Sequence, residues 1–165
     1  QEFSGGVVEV SGIEFLGEFE LAITEGWLLT SSLNYTYSDS KFEESFFSQF
    51  SQWGLVDKGD ELPYIPKHVG RWQVALEGDH WSLDLALKYQ HKMREEPGSG
   101  AIESGLHSDS LTVVDLALSR VVNDNLELKL LLRNAADKAA IVSHRPYGAR
   151  PNQPRTLLAQ VKYRF

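Results

Sequence analysis

The sequence predicts an all-β protein, and within that class the wall of an antiparallel up-and-down transmembrane β-barrel. Three observations carry this expectation. Apolar and polar residues alternate with period two over stretches of about 9 to 12 residues, the mark of strands with one apolar face. The links between the stretches alternate between tight turns and segments far longer than the usual two to five residues or so of a hairpin. The apolar faces place aromatic rings at their ends and aliphatic side chains between, as a bilayer with two interfaces favours.

The first segment, Val7 to Thr24, sets Ile13, Phe15, Phe19, Leu21 and Ile23 against Glu14, Glu18 and Glu20. Val8 and Val10 have the opposite parity, so a bulge at Ser11-Gly12 is expected to reset the register. Trp27 to Ser38 puts Leu29, Leu33, Tyr35 and Tyr37 on one face, with Ser31 the exception there and Leu28 the exception opposite. In Lys67 to Glu77, Trp72, Val74 and Leu76 oppose Arg71, Gln73 and Glu77. Trp81 to Gln90 is the cleanest: Trp81, Leu83, Leu85, Leu87 and Tyr89 against Ser82, Asp84, Ala86, Lys88 and Gln90. Leu111 to Val121 opposes Val114, Leu116 and Leu118 to Asp115 and Ser119. Leu126 to Asn134 sets alternate leucines against Glu127, Lys129 and Arg133, and Arg155 to Phe165 sets Leu157, Ala159, Val161, Tyr163 and Phe165 against Thr156, Leu158, Gln160, Lys162 and Arg164.

These seven strands are linked by short turns at 25–26, 78–80 and 123–125, where Gly, Asp and Asn suit hairpins, and by long loops at 39–66, 92–110 and 135–154. In a meander all short turns fall at one end and all long loops at the other, as in bacterial outer-membrane barrels with short periplasmic turns and longer extracellular loops. Such single-chain barrels have an even number of strands, at least about eight. Strands are therefore expected to precede Gln1, and 1–165 reads as the C-terminal portion of a larger barrel.

A soluble sandwich also alternates. Against it, Trp81 to Tyr89 spans roughly 26 Å at about 3.3 Å per residue, near 20 Å of depth when tilted, close to the apolar band of about 25 Å in membrane barrels. Trp27, Tyr35, Tyr37, Trp72, Trp81 and Tyr89 are the expected lipid-face aromatic girdle. Asp84, Lys88, Glu127, Lys129 and Arg133 lie well inside strands on the opposite face, which a wet or plugged lumen tolerates and a two-layer core does not.

Composition agrees. The chain has 165 residues, 42% hydrophobic and 24% charged, and its Phe 8, Tyr 6 and Trp 4 are too many rings for a disordered chain. No run of about 18 apolar residues offers a transmembrane helix, a test blind to membrane strands. Without cysteine there is no disulfide, thiolate metal site or cysteine nucleophile. Sixteen basic against 23 acidic residues, net −7, argues against nucleic acid as a partner. The chain begins at Gln1 without a basic and then apolar leader, so it is expected to be a mature chain or a fragment.

Several pieces together resemble the C-terminal end of a TonB-dependent outer-membrane receptor of the ferric-siderophore or ferric-citrate type. They are Gly12-Ile13-Glu14, Leu33 to Asp39 (LNYTYSD), Leu62 to His68 (LPYIPKH), Arg133 to Lys138 (RNAADK), Tyr147 to Pro151 (YGARP), Pro154-Arg155-Thr156 and Val161 to Phe165 (VKYRF). Ala135-Ala136 stands where the family commonly has Leu-Phe, and Val161 where its terminal signal usually has Gly. The resemblance implies a barrel of about 22 strands closed by an N-terminal plug, located in the bacterial outer membrane. It implies uptake of an iron chelate driven through TonB, with the TonB contact in the region before this chain. It also implies that Val161, Tyr163 and Phe165 form the C-terminal signal read by the barrel assembly machinery.

The loops differ in charge. Segment 39–61 is acidic, whereas the last loop carries Lys138, Arg145, Arg150 and Arg155 with His144. Arginine suits fork-like contacts with carboxylates, so His144, Arg145, Tyr147 and Arg150 are the candidates for an anionic ferric chelate. The blander alternative, which we prefer for these arginines, is pairing with neighbouring acidic loops or with lipopolysaccharide phosphates. Phe42, Phe46, Phe47, Phe50 and Trp53 make one loop aromatic, with self-packing preferred over contact with a hydrophobic siderophore. The inward charges of the strands are expected to meet the plug or lumen water. Five scattered histidines show no metal-ligand spacing, and no protein metal site or cofactor is expected. No catalytic triad, P-loop or dinucleotide fingerprint is present, so an enzyme is not expected. Two competing readings are an outer-membrane barrel anchoring an adhesin or enzyme, and a soluble β-rich binding module. The first requires clustered catalytic groups at the barrel mouth; the second requires a chain that folds as a monomer without detergent.

Overall fold

The computed structural model describes residues 6–50, 52–102, 105, 107–145 and 148–165. Among them the strands are, in chain order, β1 (Val8–Thr24), β2 (Trp27–Phe42), β3 (Phe46–Phe47), β4 (Leu55–Val56), β5 (His68–Gly78), β6 (Trp81–Gln90), β7 (Met93–Arg94), β8 (His107–Ser108), β9 (Leu111–Asn123), β10 (Leu126–Arg133), β11 (Ile141–Ser143), β12 (Arg150–Pro151) and β13 (Thr156–Tyr163). Seven form one antiparallel sheet in the order β1-β2-β5-β6-β9-β10-β13, an unbroken meander. The other six pair as three small hairpins, β3-β4, β7-β8 and β11-β12, one in each long loop.

The register places every predicted face. Directly paired residues share a face of a pleated sheet, and Phe15↔Tyr35, Leu33↔Trp72↔Leu87↔Val114 and Leu116↔Leu132↔Leu157 run across the strands as apolar rows. The polar face carries Arg71↔Lys88 and Lys129↔Gln160. Trp27 and Trp81 sit beside the short turns, and Tyr35, Tyr37 and Tyr89 at the long-loop end, all on the apolar face. Trp72 lies one pair inward of Gly70↔Tyr89 and donates its indole N–H to Ser31 Oγ at 2.9 Å, so the two irregular polar atoms of that face satisfy each other. At the other end Trp27 covers Gly78, whose absent Cβ would lie 3.0 Å from the indole.

The bulge expected at Ser11-Gly12 is not there. Pairing runs continuously from Val8↔Phe42 to Ala22↔Leu28, and the irregularity falls between Ala22 and Thr24, next to the turn. A Cβ at Gly12 would stand 2.3 Å from the Tyr37 carbonyl oxygen, so glycine there serves close backbone approach instead. Val8 and Val10 stay on the polar face, 45% and 54% exposed, beside the part of β2 that continues past Ser38 to Phe42, which is 2% exposed and packs edge-on against Phe46 and Trp53 at 5.5 and 6.0 Å.

Little of the sheet is covered. Among the described residues the buried apolar ones are Phe42, Val56, Ala117 and Ala140, while Leu83, Leu130, Leu157 and Val161 stand open, the last two at 69% and 68%. The accessible surface is 11242 Å², against about 8,200 Å² for a compact soluble monomer of this mass. An excess of that size is what a single-layer sheet leaves open on its two faces and at its two edges.

Candidate functional site

The chemistry concentrates at the long-loop end, where the loops are tied by charge. Glu61, ahead of β5, receives Lys67 Nζ at 2.7 Å on Oε1 and Arg94 Nε at 3.0 Å on Oε2. Arg94 is 8% exposed and also donates to the Gly100 carbonyl. Backbone bonds from Glu61 N to Gly98 O and from Tyr64 N to Arg94 O, each 2.9 Å, complete the junction of the first and second loops. Burial alone would raise the Glu61 pKa, but hydrogen bonds from Lys67 and Arg94 outweigh it and hold the carboxyl below the usual range. A depressed carboxylate stabilises the folded form above its unfolded pKa, and that contribution is lost as pH falls through the folded value. Acidification below the ordinary carboxylate range is therefore expected to speed hydrogen exchange of amides 61–67 and 94–100. Glu61→Gln should do so already at neutral pH; equal protection in the variant would dismiss the clamp.

The second and third loops join through Glu95 and Glu96. Glu95, 2% exposed, accepts the His144 backbone N–H at 2.8 Å and faces His144 Nδ1 at 3.1 Å; Arg145 pairs with Glu96. Of the candidate ligand residues, the fold thus brings His144 and Arg145 together against acidic partners. Arg150 is exposed on β12, paired in register with Ser143. Tyr147 lies outside the described residues.

The third loop is organised by two asparagines. Asn134 is 2% exposed with a positive φ of 48°, a conformation Asn tolerates better than most residues. Its N–H donates to Asp115 Oδ1 (2.9 Å), its Nδ2 to the carbonyls of Lys138 (3.0 Å) and Gln153 (2.9 Å), and its Oδ1 accepts Lys138 N–H (3.0 Å). Asn152 mirrors it, accepting Ala140 N–H at 2.9 Å and donating to Lys138 O at 2.8 Å.

Beneath this layer the polar face opens into a groove of about 680 Å³ lined by Arg71, Lys88, Gln90, Arg133, Asn134 and Asn152 among others. Lys88 is neutralised by Asp115 at 2.8 Å. Arg71 and Arg133 are exposed there, so the groove presents two guanidinium groups. Lower on the same face Asp84 lines a second recess and Glu127 pairs with Lys162 at 3.5 Å. Arg71 and Arg94 were not singled out from the sequence. Arg71 showed only as a polar position, and the partner of Arg94 is 33 residues away.

The aromatic loop packs partly on itself through Phe42, Phe46 and Trp53, with Phe50 edge-on to Trp53 at 6.0 Å, and leaves Phe47, on β3 opposite Leu55, 77% exposed. Among the described residues no group of three or more His, Asp or Glu side chains is placed to hold a metal.

A seven-strand meander with one bare apolar face, one charged face and all long loops at one end is the geometry of a barrel wall, and a family model described as "TonB dependent receptor-like, beta-barrel" matches residues 2–135. The chain belongs to that family. It is 26% identical over 159 residues to the vitamin B12 transporter BtuB of Photobacterium profundum, covering 95% of this chain and 22% of that protein. The ferric-catecholate import receptor Fiu of E. coli K12, in its closed form, shares the fold over all of this chain and 30% of its own, with TM-score 0.57 and 18% identity. The copper transporter OprC matches 96% of this chain and 24% of its own, with TM-score 0.63 and 18% identity. The chain thus spans less than a third of the length of these relatives, which are named as transporters and import receptors, not enzymes. The barrels of this TonB-dependent receptor family lie in the outer membrane, which makes the apolar face the lipid face and the charged face the lumen side.

Proposed function

We propose that residues 1–165 are the C-terminal wall and loops of a TonB-dependent receptor of about 22 strands that takes up an iron chelate, a ferric siderophore or ferric citrate. The observation that carries the reading is the lumen groove with the exposed guanidinium groups of Arg71 and Arg133, lying under a loop layer that carries the exposed Arg150. Two exposed guanidinium groups in the groove and one above it suit a chelate rich in carboxylate or catecholate oxygens. A plug domain and the TonB contact would come from the region before this chain, and energy from TonB would move the plug. The loops would lie among lipopolysaccharide, and Val161 and Tyr163 on the open edge strand, with Phe165 just beyond its end, would present the assembly signal. No bond is made or broken in such a process.

His144 and Arg145 enter this reading as the support of the loop layer, Arg150 and Tyr147 as its ligand side. Binding and uptake of the radiolabelled chelate by cells carrying Arg150→Ala should show an affinity loss of about tenfold, equivalent to about 1.4 kcal/mol. Arg145→Ala should lower uptake by loosening the loops. Unchanged affinity in both variants would remove the loops from the site, and transport of cobalamin or copper but no iron chelate would change the cargo while leaving the receptor.

A further inference from the structure

On the lipid face, at the rim next to the long loops, the fold brings together two histidines that stand 23 positions apart in the chain. The ladder pairing Val69↔Gln90 continues one step further through the bond from His91 N to His68 O, 2.9 Å long, so the two residues are direct cross-strand neighbours. Cross-strand side chains leave Cβ atoms about 5 Å apart. The imidazole centroids are 5.5 Å apart with their planes at 89°. Each ring is oriented by a tyrosine of the rim: Tyr35 Oη lies 2.7 Å from His68 Nδ1, and Tyr89 Oη lies 3.0 Å from His91 Nδ1. Tyr37 lies against His68 with centroids 5.3 Å apart.

We propose that His68 and His91 form a two-imidazole site for a late first-row divalent cation, such as Cu²⁺ or Zn²⁺, on the outer rim of the wall. Two imidazoles sharing one ion through nitrogens at about 2.1 Å hold their centroids roughly 5 Å apart at a tetrahedral angle, close to the separation seen. When each Nδ1–H donates to its tyrosine hydroxyl, both Nε2 atoms keep the lone pair a metal needs. This is the arrangement in which an outer partner fixes the tautomer of a ligating histidine. With imidazole donors and no thiolate, Cu²⁺ should bind tightest of the series. Water completes the coordination at the membrane surface. The site is separate from the lumen groove and independent of the cargo.

The test is titration of the receptor carrying this chain, in lipid nanodiscs, with CuCl₂ followed by electron paramagnetic resonance. One copper with nitrogen coupling is expected, with its dissociation constant raised at least tenfold in His68→Gln and in His91→Gln, substitutions that keep a polar group in the rim. Tyr35→Phe combined with Tyr89→Phe should weaken binding about tenfold, and His80→Ala, at the opposite end of the sheet, should change nothing. The same copper stoichiometry and affinity in the His68→Gln/His91→Gln double variant as in the wild type would overturn the proposal.

Discussion

Arginine in place of Leu85 is expected to lower the folding stability of the barrel by about 2–4 kcal/mol, the cost of a cation on the lipid face near the bilayer midplane. Leu85 is the middle residue of the apolar face of β6, halfway between Trp81 and Tyr89, with Val74 and Leu116 as cross-strand neighbours. The guanidinium there has neither water nor a carboxylate within reach, and is too far from either rim to escape. Arginine at Asp84, one residue away on the lumen side, should cost about 0.5 kcal/mol or less. Denaturant unfolding in lipid vesicles measures both, and equal losses at the two positions would contradict the face assignment. Near the turn end the same chemistry is tolerated: Arg120 on the lipid face rests its guanidinium 4.8 Å from the centre of the Trp81 ring, where headgroups and a cation–π contact receive it.

Replacing Asn134 by alanine is expected to cost roughly 2–4 kcal/mol, because three hydrogen bonds vanish and the groups left behind are each worth about 1 kcal/mol or more when unpaired. The side chain is buried and ties the end of β10 to Lys138 and Gln153, so its loss frees the whole third loop. Asn134→Gly separates the causes, since it keeps the positive φ and removes only the amide. Similar losses in Gly and Ala variants would assign the effect to hydrogen bonds, whereas a stable Gly variant would assign it to backbone strain. Loop exchange and unfolding midpoint measured together decide this. The alanines at 135 and 136 are half-buried or exposed and carry none of this load, which explains how the segment keeps its shape where the family commonly has larger residues.

The face of each of the seven strands was legible because a strand between lipid and lumen is patterned residue by residue, and Trp81 to Gln90 states that pattern almost without exception. The turns were legible because Gly26, with φ of 79°, and Asn125, whose N–H donates to Asn123 Oδ1 at 3.0 Å, are local solutions to local geometry. The end of β2 was not: Asp39, Ser40 and Lys41 break the apolar rhythm, because above the membrane the strand no longer faces lipid and its conformation is set by pairing with β1. The unneeded bulge in β1 has the same origin. Valines at 8 and 10 pair with Phe42 and Ser40, beyond the lipid-facing stretch of the sheet, and stand 45% and 54% exposed there.

For the candidate site, charge sign could be read along the chain but charge pairing could not. His144 and Arg145 meet Glu95 and Glu96 across 49 positions, and Glu61 meets Arg94 across 33. Nothing local in the sequence signals such partners, since surface charges bind whichever loop the topology brings near. By itself, then, the sequence determined the class of wall, the lipid and lumen faces and the end at which the loops gather, because burial in a bilayer acts on every second residue. Only the tertiary structure decided which guanidinium groups line the groove, and which two histidines stand side by side. Those outcomes depend on loop packing and strand register, which are properties of contacts distant in the chain.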